Sequence, residues 1–173
     1  MERIPQDPLA ADRQPEFMTV LTPQSITDPA FLDYGQPITA VGDLTPYSDH
    51  DAHLFFDSGA IRFYIMRLEH PGLVVEAMTR HFHCSQCLAS AEAQPWWIAV
   101  AAPDPGNDSV NTDSLALFRI EPRQAVKLHP GTWHAGPYFT SEIATFYNLE
   151  LADTKVSDHG TRHLETPISL QLS

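Results

Sequence analysis

Fifteen prolines run through this chain of 173 residues, and they constrain its fold more than any other feature. Proline lacks an amide proton and its ring clashes with the preceding helical turn, so it ends or kinks a helix. Most windows long enough for a helix are therefore broken. Between the prolines lie short runs rich in β-branched and aromatic residues, closed by turn signals. Residues 53–56 stop at Asp57-Ser58-Gly59, and 61–68 at His70-Pro71-Gly72. Residues 73–83 follow. Residues 96–101 stop before Pro103-Asp104-Pro105-Gly106, 115–120 at Glu121-Pro122, and 124–129 at Pro130-Gly131. Residues 143–151 form the last long run. This cadence predicts an all-β sandwich or barrel. One short helix is expected over 30–34, with Asp28 as its cap, Pro29 at its first position and Gly35 closing it.

The length fits one domain, and an apolar fraction of 43% is enough to fill one core. Residues 1–26, with Pro5, Pro8, Pro15 and Pro23, read as an extended N-terminal arm, and 27–173 as a single barrel domain. Acidic residues outnumber basic ones by 22 to 10, for a net charge of −12. That balance argues against nucleic acid and against an anionic membrane surface. A small anionic metabolite stays open, because local cations in a pocket outweigh the global field. No apolar run reaches transmembrane length, and Glu2, Arg3 and Asp7 stand where a signal peptide needs apolar residues. The reading is a cytoplasmic protein. Cys84 and Cys87 are the full cysteine set; they make no disulfide framework and read as two ordinary thiols.

Two histidine segments carry the chemistry. The first is Arg80-His81-Phe82-His83-Cys84-Ser85-Gln86-Cys87. On a strand, residues two apart share a face, so His81 and His83 would point together, a natural start for a divalent-metal site. The second is Lys127-Leu128-His129-Pro130-Gly131-Thr132-Trp133-His134. Lys127 and His129 would share a face, and His134 would begin the next strand or a tight loop. A zinc staple of His81, His83, Cys84 and Cys87 is a further arrangement. It requires the strand to end at His83, because neighbours on a strand face opposite ways.

In this order and about fifty residues apart, the two segments resemble the two motifs of the cupin superfamily. That resemblance implies a cupin-type jelly-roll β-barrel of the RmlC kind with few short helices. It also implies histidines converging inside a small barrel. The superfamily's first motif carries a Glu where this chain has Gln86 or Cys87. A metal would then be held by His81, His83, Gln86 and His134. Ni, Mn or Zn would suit, loosely bound or absent. A homodimer is expected by the same analogy.

A closer resemblance is to the ureidoglycolate lyase family. Arg80-His81 followed by Ser85-Gln86 is similar to its Arg-His…Thr-Gln element, and Phe31-x-x-Tyr34-Gly35 to its Phe-x-x-Tyr-Gly. Phe56-Asp57-Ser58-Gly59, Arg67, His129 and Trp133-His134 resemble further elements in the same order. The likeness covers roughly 27–151. It implies cleavage of ureidoglycolate to glyoxylate and urea, a late step of purine (allantoin) breakdown. Such a reaction needs a base, an acid and a cation for the substrate carboxylate. His129 or His134 is the candidate base, Glu150 the acid, and Arg67, Arg80 or Lys127 the carboxylate partner. The alternatives are a metal-dependent cupin oxygenase or isomerase acting on a small acid, and a ligand-binding cupin without catalysis.

Overall fold

The computed structural model describes residues 19–173. Among these residues there are twelve strands: β1 (Val20–Leu21), β2 (Pro23–Ser25), β3 (Gly35–Ile38), β4 (Ile61–Glu69), β5 (Val74–Arg80), β6 (Gln86–Ser90), β7 (Trp96–Ala101), β8 (Ala116–Ile120), β9 (Ala125–Leu128), β10 (Trp133–Tyr138), β11 (Ile143–Leu151) and β12 (Gly160–Leu170). One short helix, α1 (Thr154–Ser157), joins β11 to β12, and Pro29–Asp33 and Thr112–Ser114 are 3-10 turns.

The strands form two sheets, ordered β1-β12-β5-β10-β7-β8-β2 and β3-β9-β6-β11-β4. Strands β4 to β11 divide between them as β4-β11-β6-β9 and β5-β10-β7-β8. That interleaving is the double Greek key of a jelly roll, the barrel architecture of cupins. The expected all-β cupin-type fold is what the chain adopts.

Strand β7 shows why its sequence, Trp-Trp-Ile-Ala-Val-Ala, is apolar throughout. Trp96, Ile98 and Val100 point between the sheets, against Phe118, Val126, Leu128 and Phe146. Trp97, Ala99 and Ala101 point outward, where they join Trp133, Met78, Ile168 and Leu170. A strand buried on both faces loses the alternation of a half-exposed one. Strand β4 is the opposite case. It is the sheet edge, and Phe63 and Ile65 on its outer face are 67% and 59% exposed.

Several sequence expectations land differently. The helix at 30–34 is a 3-10 turn over Pro29–Asp33, with the Asp28 carboxylate accepting from the Ala30 amide at 2.9 Å as expected. Residues 53–56 make only a bridge between Phe56 and Cys84. Pairing begins before Ile26, because β1 runs parallel to β12 and β2 parallel to β8. Residues 1–18 of the expected arm lie outside the described residues. Strand β12 escaped the sequence reading because it is polar and carries Pro167. The proline falls within a register shift between His163 and Ile168, where a missing amide costs no ladder bond. No helix among the described residues is long and apolar enough to cross a membrane.

Phe146 packs edge-on against Trp96 at 5.2 Å and is fully buried. Phe146→Ala is expected to cost about 3–5 kcal/mol, read as a lowered urea midpoint with an unchanged denaturant slope.

Candidate functional site

The inward face of β11 reads Ala144, Phe146, Asn148, Glu150, apolar at one end and polar at the other. Its neighbours change at the same level. Asn148 lies opposite Tyr64 on β4 and Leu88 on β6, and the same register sets Gln86 beside Glu150. Glu150 is 1% exposed. A carboxylate so deep costs several kcal/mol unless donors replace its lost water. Three do: Tyr64 Oη donates to Oε1 at 3.1 Å, and Gln86 Nε2 and Asn148 Nδ2 donate to Oε2 at 3.1 and 3.2 Å. Asn148 also donates to Tyr64 Oη at 3.0 Å, which orients the phenol. Gln86 Oε1 is buried and has no partner among the described residues.

Cations stand around Tyr64. The Arg62 guanidinium lies over its ring at 3.6 Å, and the Lys155 ammonium of α1 is 5.4 Å from it.

Two imidazoles face this network. His134 enters from β10 and His81 from the turn after β5, with ring centres 5.2 Å apart. Each has its Nδ1 on a main-chain carbonyl, His81 on Asp158 at 2.5 Å and His134 on Thr132 at 3.2 Å. A carbonyl only accepts, so Nδ1 carries the proton in both rings and Nε2 presents a lone pair. Burial lowers the pKa of both rings. His134, which also feels His81, falls to about 3. For His81 the nearby Asp158 and Glu150 act against the fall. His159 completes the group at 5.6 Å from His81.

Asp158 fixes the turn that carries His81. Its carboxylate accepts from the Phe82 amide at 2.8 Å and the His83 amide at 2.7 Å. The His81 carbonyl in turn accepts from Gly131 at 2.6 Å. Gly131 has φ +85°, which a side chain resists, so the Pro-Gly turn read from the sequence docks on the histidine turn. Together these groups line a cavity of about 660 Å³ with His81, Gln86, His134, Asn148, Glu150 and Lys155 at its polar end.

Of the residues expected in the site, His81, Gln86, His134 and Glu150 come together. The others do not. His83 is more than half exposed and meets Asp57 at 3.1 Å, outside the barrel. Strand β5 ends at Arg80, so the alternation that paired His83 with His81 does not extend to it. Arg80 is buried on the outer side, stacked on Trp133 at 4.1 Å and bonded to Asp104, Asn107 and Asp108. It holds the 104–108 loop. Arg67 lies exposed on β4 beside Glu69. Lys127 and His129 share a face as expected, with Lys127 Nζ donating to His129 Nδ1 at 2.8 Å. That face is the outer one, because Val126 and Leu128 take the interior. The His129 ring then donates from Nε2 to the Leu32 carbonyl at 3.1 Å.

Among the described residues no three His, Cys, Asp or Glu side chains converge as metal ligands. With His83 turned away, the expected set reduces to two imidazoles and a neutral amide, and Glu150 is taken up by three donors. These residues do not fit a resident divalent metal. The zinc staple fails for the same reason. His83 faces outward while Cys84 is buried, so the four side chains do not converge.

Sequence reading missed Tyr64, Asn148, Lys155, Asp158 and His159. Of these, Asn148 had a signal. Asn148 is two residues before Glu150 on one strand, so it shares its face.

The family model for ureidoglycolate lyase matches residues 18–170. No match was found among curated proteins. Two solved structures are similar. One is RmlC from Streptococcus suis in complex with dTDP-D-xylose, at 8% identity and a TM-score of 0.41 over 57% of this chain. The chain covers about half of that RmlC, 49%. The other is a dTDP sugar isomerase from Desulfovibrio desulfuricans G20, at 14% identity and a TM-score of 0.41, over 77% of this chain and 83% of that one.

The buried histidines set a pH dependence. His134 binds its proton near 6.5 when unfolded and at about 3 when folded. The unfolded chain therefore takes up protons first as pH falls. Stability is full above about pH 6.5 and is lost toward pH 3, at up to about 1.4 kcal/mol per pH unit for one such group. Unfolding free energies measured from pH 7 to 4 should show a shallower decline in His134→Gln than in the parent. Equal slopes would contradict the buried neutral assignment.

Proposed function

The chain belongs to the ureidoglycolate lyase family, and from that premise we propose that it cleaves ureidoglycolate to glyoxylate and urea without a resident metal. The observation that carries this reading is the chemistry of the cavity's polar end. Nε2 of His81, Nε2 of His134 and Oε1 of Gln86 are acceptors without a protein donor among the described residues. Ureidoglycolate is a ligand rich in donors, with one hydroxyl and a ureido group on the same carbon. Its carboxylate needs a cation, and Lys155 lines the cavity with Arg62 close by. These two take the role expected of Arg67, Arg80 and Lys127.

In this reading His81 is the base. His134 is too weakly basic; burial lowers His81 as well, but there the carboxylates of Asp158 and Glu150 act against the fall. His81 Nε2 takes the hydroxyl proton, the carbon–oxygen double bond forms and the carbon–nitrogen bond breaks. The nitrogen keeps the electron pair and receives that same proton from His81. No net proton or water is needed. Glu150, expected as the acid, faces the transient imidazolium as its electrostatic partner. His134 and Gln86 accept from the ureido nitrogens and orient the leaving group.

His81→Ala is expected to lower kcat/KM for urea release by about 10²- to 10⁴-fold. Lys155→Ala should raise KM about tenfold, while Arg67→Ala should leave both constants unchanged. Steady-state kinetics with and without a chelator tests the set. Loss of turnover on chelation would favour the metal-dependent cupin chemistry instead.

A further inference from the structure

The cavity is much longer than its polar end. Strands β5 and β10 run antiparallel along it and mark its length. His81 and His134 sit at one end, Val74 and Tyr138 at the other. At about 3.3 Å per residue, Val74 to His81 spans roughly 23 Å. A two-carbon acid bearing one ureido group fills only the part next to the histidines.

The remainder has a different character. From Leu88, level with Asn148, the wall is mostly apolar, with Met66, Leu73, Val74, Pro137 and Tyr138 beside Glu76 and Thr79. Leu73 and Val74 are 36% and 38% exposed, so this end opens to solvent at the β4–β5 turn. Glu76 stands at the rim, exposed, and disfavours an anionic group there. A pocket with one polar end and an apolar extension suits a ligand built the same way.

We infer that this end of the cavity is a subsite for an uncharged apolar substituent on the distal ureido nitrogen of the substrate. The inference rests on the reaction proposed above. We place the carboxylate at Lys155, the hydroxyl at His81 and the distal nitrogen toward Met66 and Leu88, the apolar side chains that line the cavity beside Asn148. The substrate class is then N′-alkyl or N′-aryl ureidoglycolates, released as glyoxylate and the substituted urea. The bond that breaks, and the proton that moves, are those of the parent reaction.

The test compares kcat/KM for glyoxylate release from ureidoglycolate and from N′-butylureidoglycolate, using the full chain. Each buried methylene adds about fourfold when well covered. Partial cover by an open cleft gives an expected preference for the butyl substrate of about tenfold. Val74→Asp, a change at a partly exposed position, should bring that ratio to about one or below. A ratio at or below one in the parent protein, with ureidoglycolate itself turned over, overturns the subsite and leaves the reaction standing. A tenfold ratio that Val74→Asp and a second variant, Leu73→Asp, both leave intact overturns the placement. No turnover of either substrate overturns the reaction, and the subsite falls with it.

Discussion

A carboxylate at the centre of a barrel must be answered by donors, and the cavity is arranged around that requirement. Glu150 draws Tyr64, Gln86 and Asn148 from three adjacent strands. Each donor is placed by ladder register, not by a flexible loop, so the polar floor is as rigid as the sheet beneath it. The hydrogen bonds also decide what is left over. Gln86 spends its amide nitrogen on Glu150 and keeps its oxygen unpaired. The two histidines spend Nδ1 on main-chain carbonyls and keep Nε2. The result is a cavity floor that presents acceptors with no donor among the described residues.

The opposite face of the barrel uses its charges differently. Arg80, next to His81 in sequence, points outward and ties down the 104–108 loop through two carbonyls and Asp108. Asp158, far away in sequence, reaches back to the turn that follows His81. The segment from α1 to His159 therefore does three things within a few residues. It brings Lys155 to the cavity, it locks the His81 turn and it supplies a third imidazole. For all the acidic composition of the chain, the polar end of the cavity carries a cation of its own in Lys155.

The sequence made the fold legible because its signals were local. Prolines and turn residues marked strand ends, and β7, β11 and most of β4 fall where the pattern put them. The site was legible through motif resemblance and residue type rather than through strand alternation. His134 and Gln86 were found through motif resemblance, and Glu150 as a carboxylate on the last long run. Alternation fails at His83 because the strand stops at Arg80 and an Asp158 bond, invisible in sequence, redirects the chain. It fails for Lys127 and His129 in another way. They do share a face, but alternation does not say which face is inside until Val126 and Leu128 are seen packing there. Lys155, Asp158 and His159 had no pattern to reveal them, since a four-residue helix between two strands carries no periodicity.

The central claim is that the histidine and carboxylate end of the cavity breaks a carbon–nitrogen bond by moving one proton. The most direct measurement is the product balance from ureidoglycolate with the purified protein. Urea and glyoxylate in equal amounts, with no ammonia above the uncatalysed rate, is the expected result. Ammonia as the nitrogen product, or no acceleration at all, would contradict it.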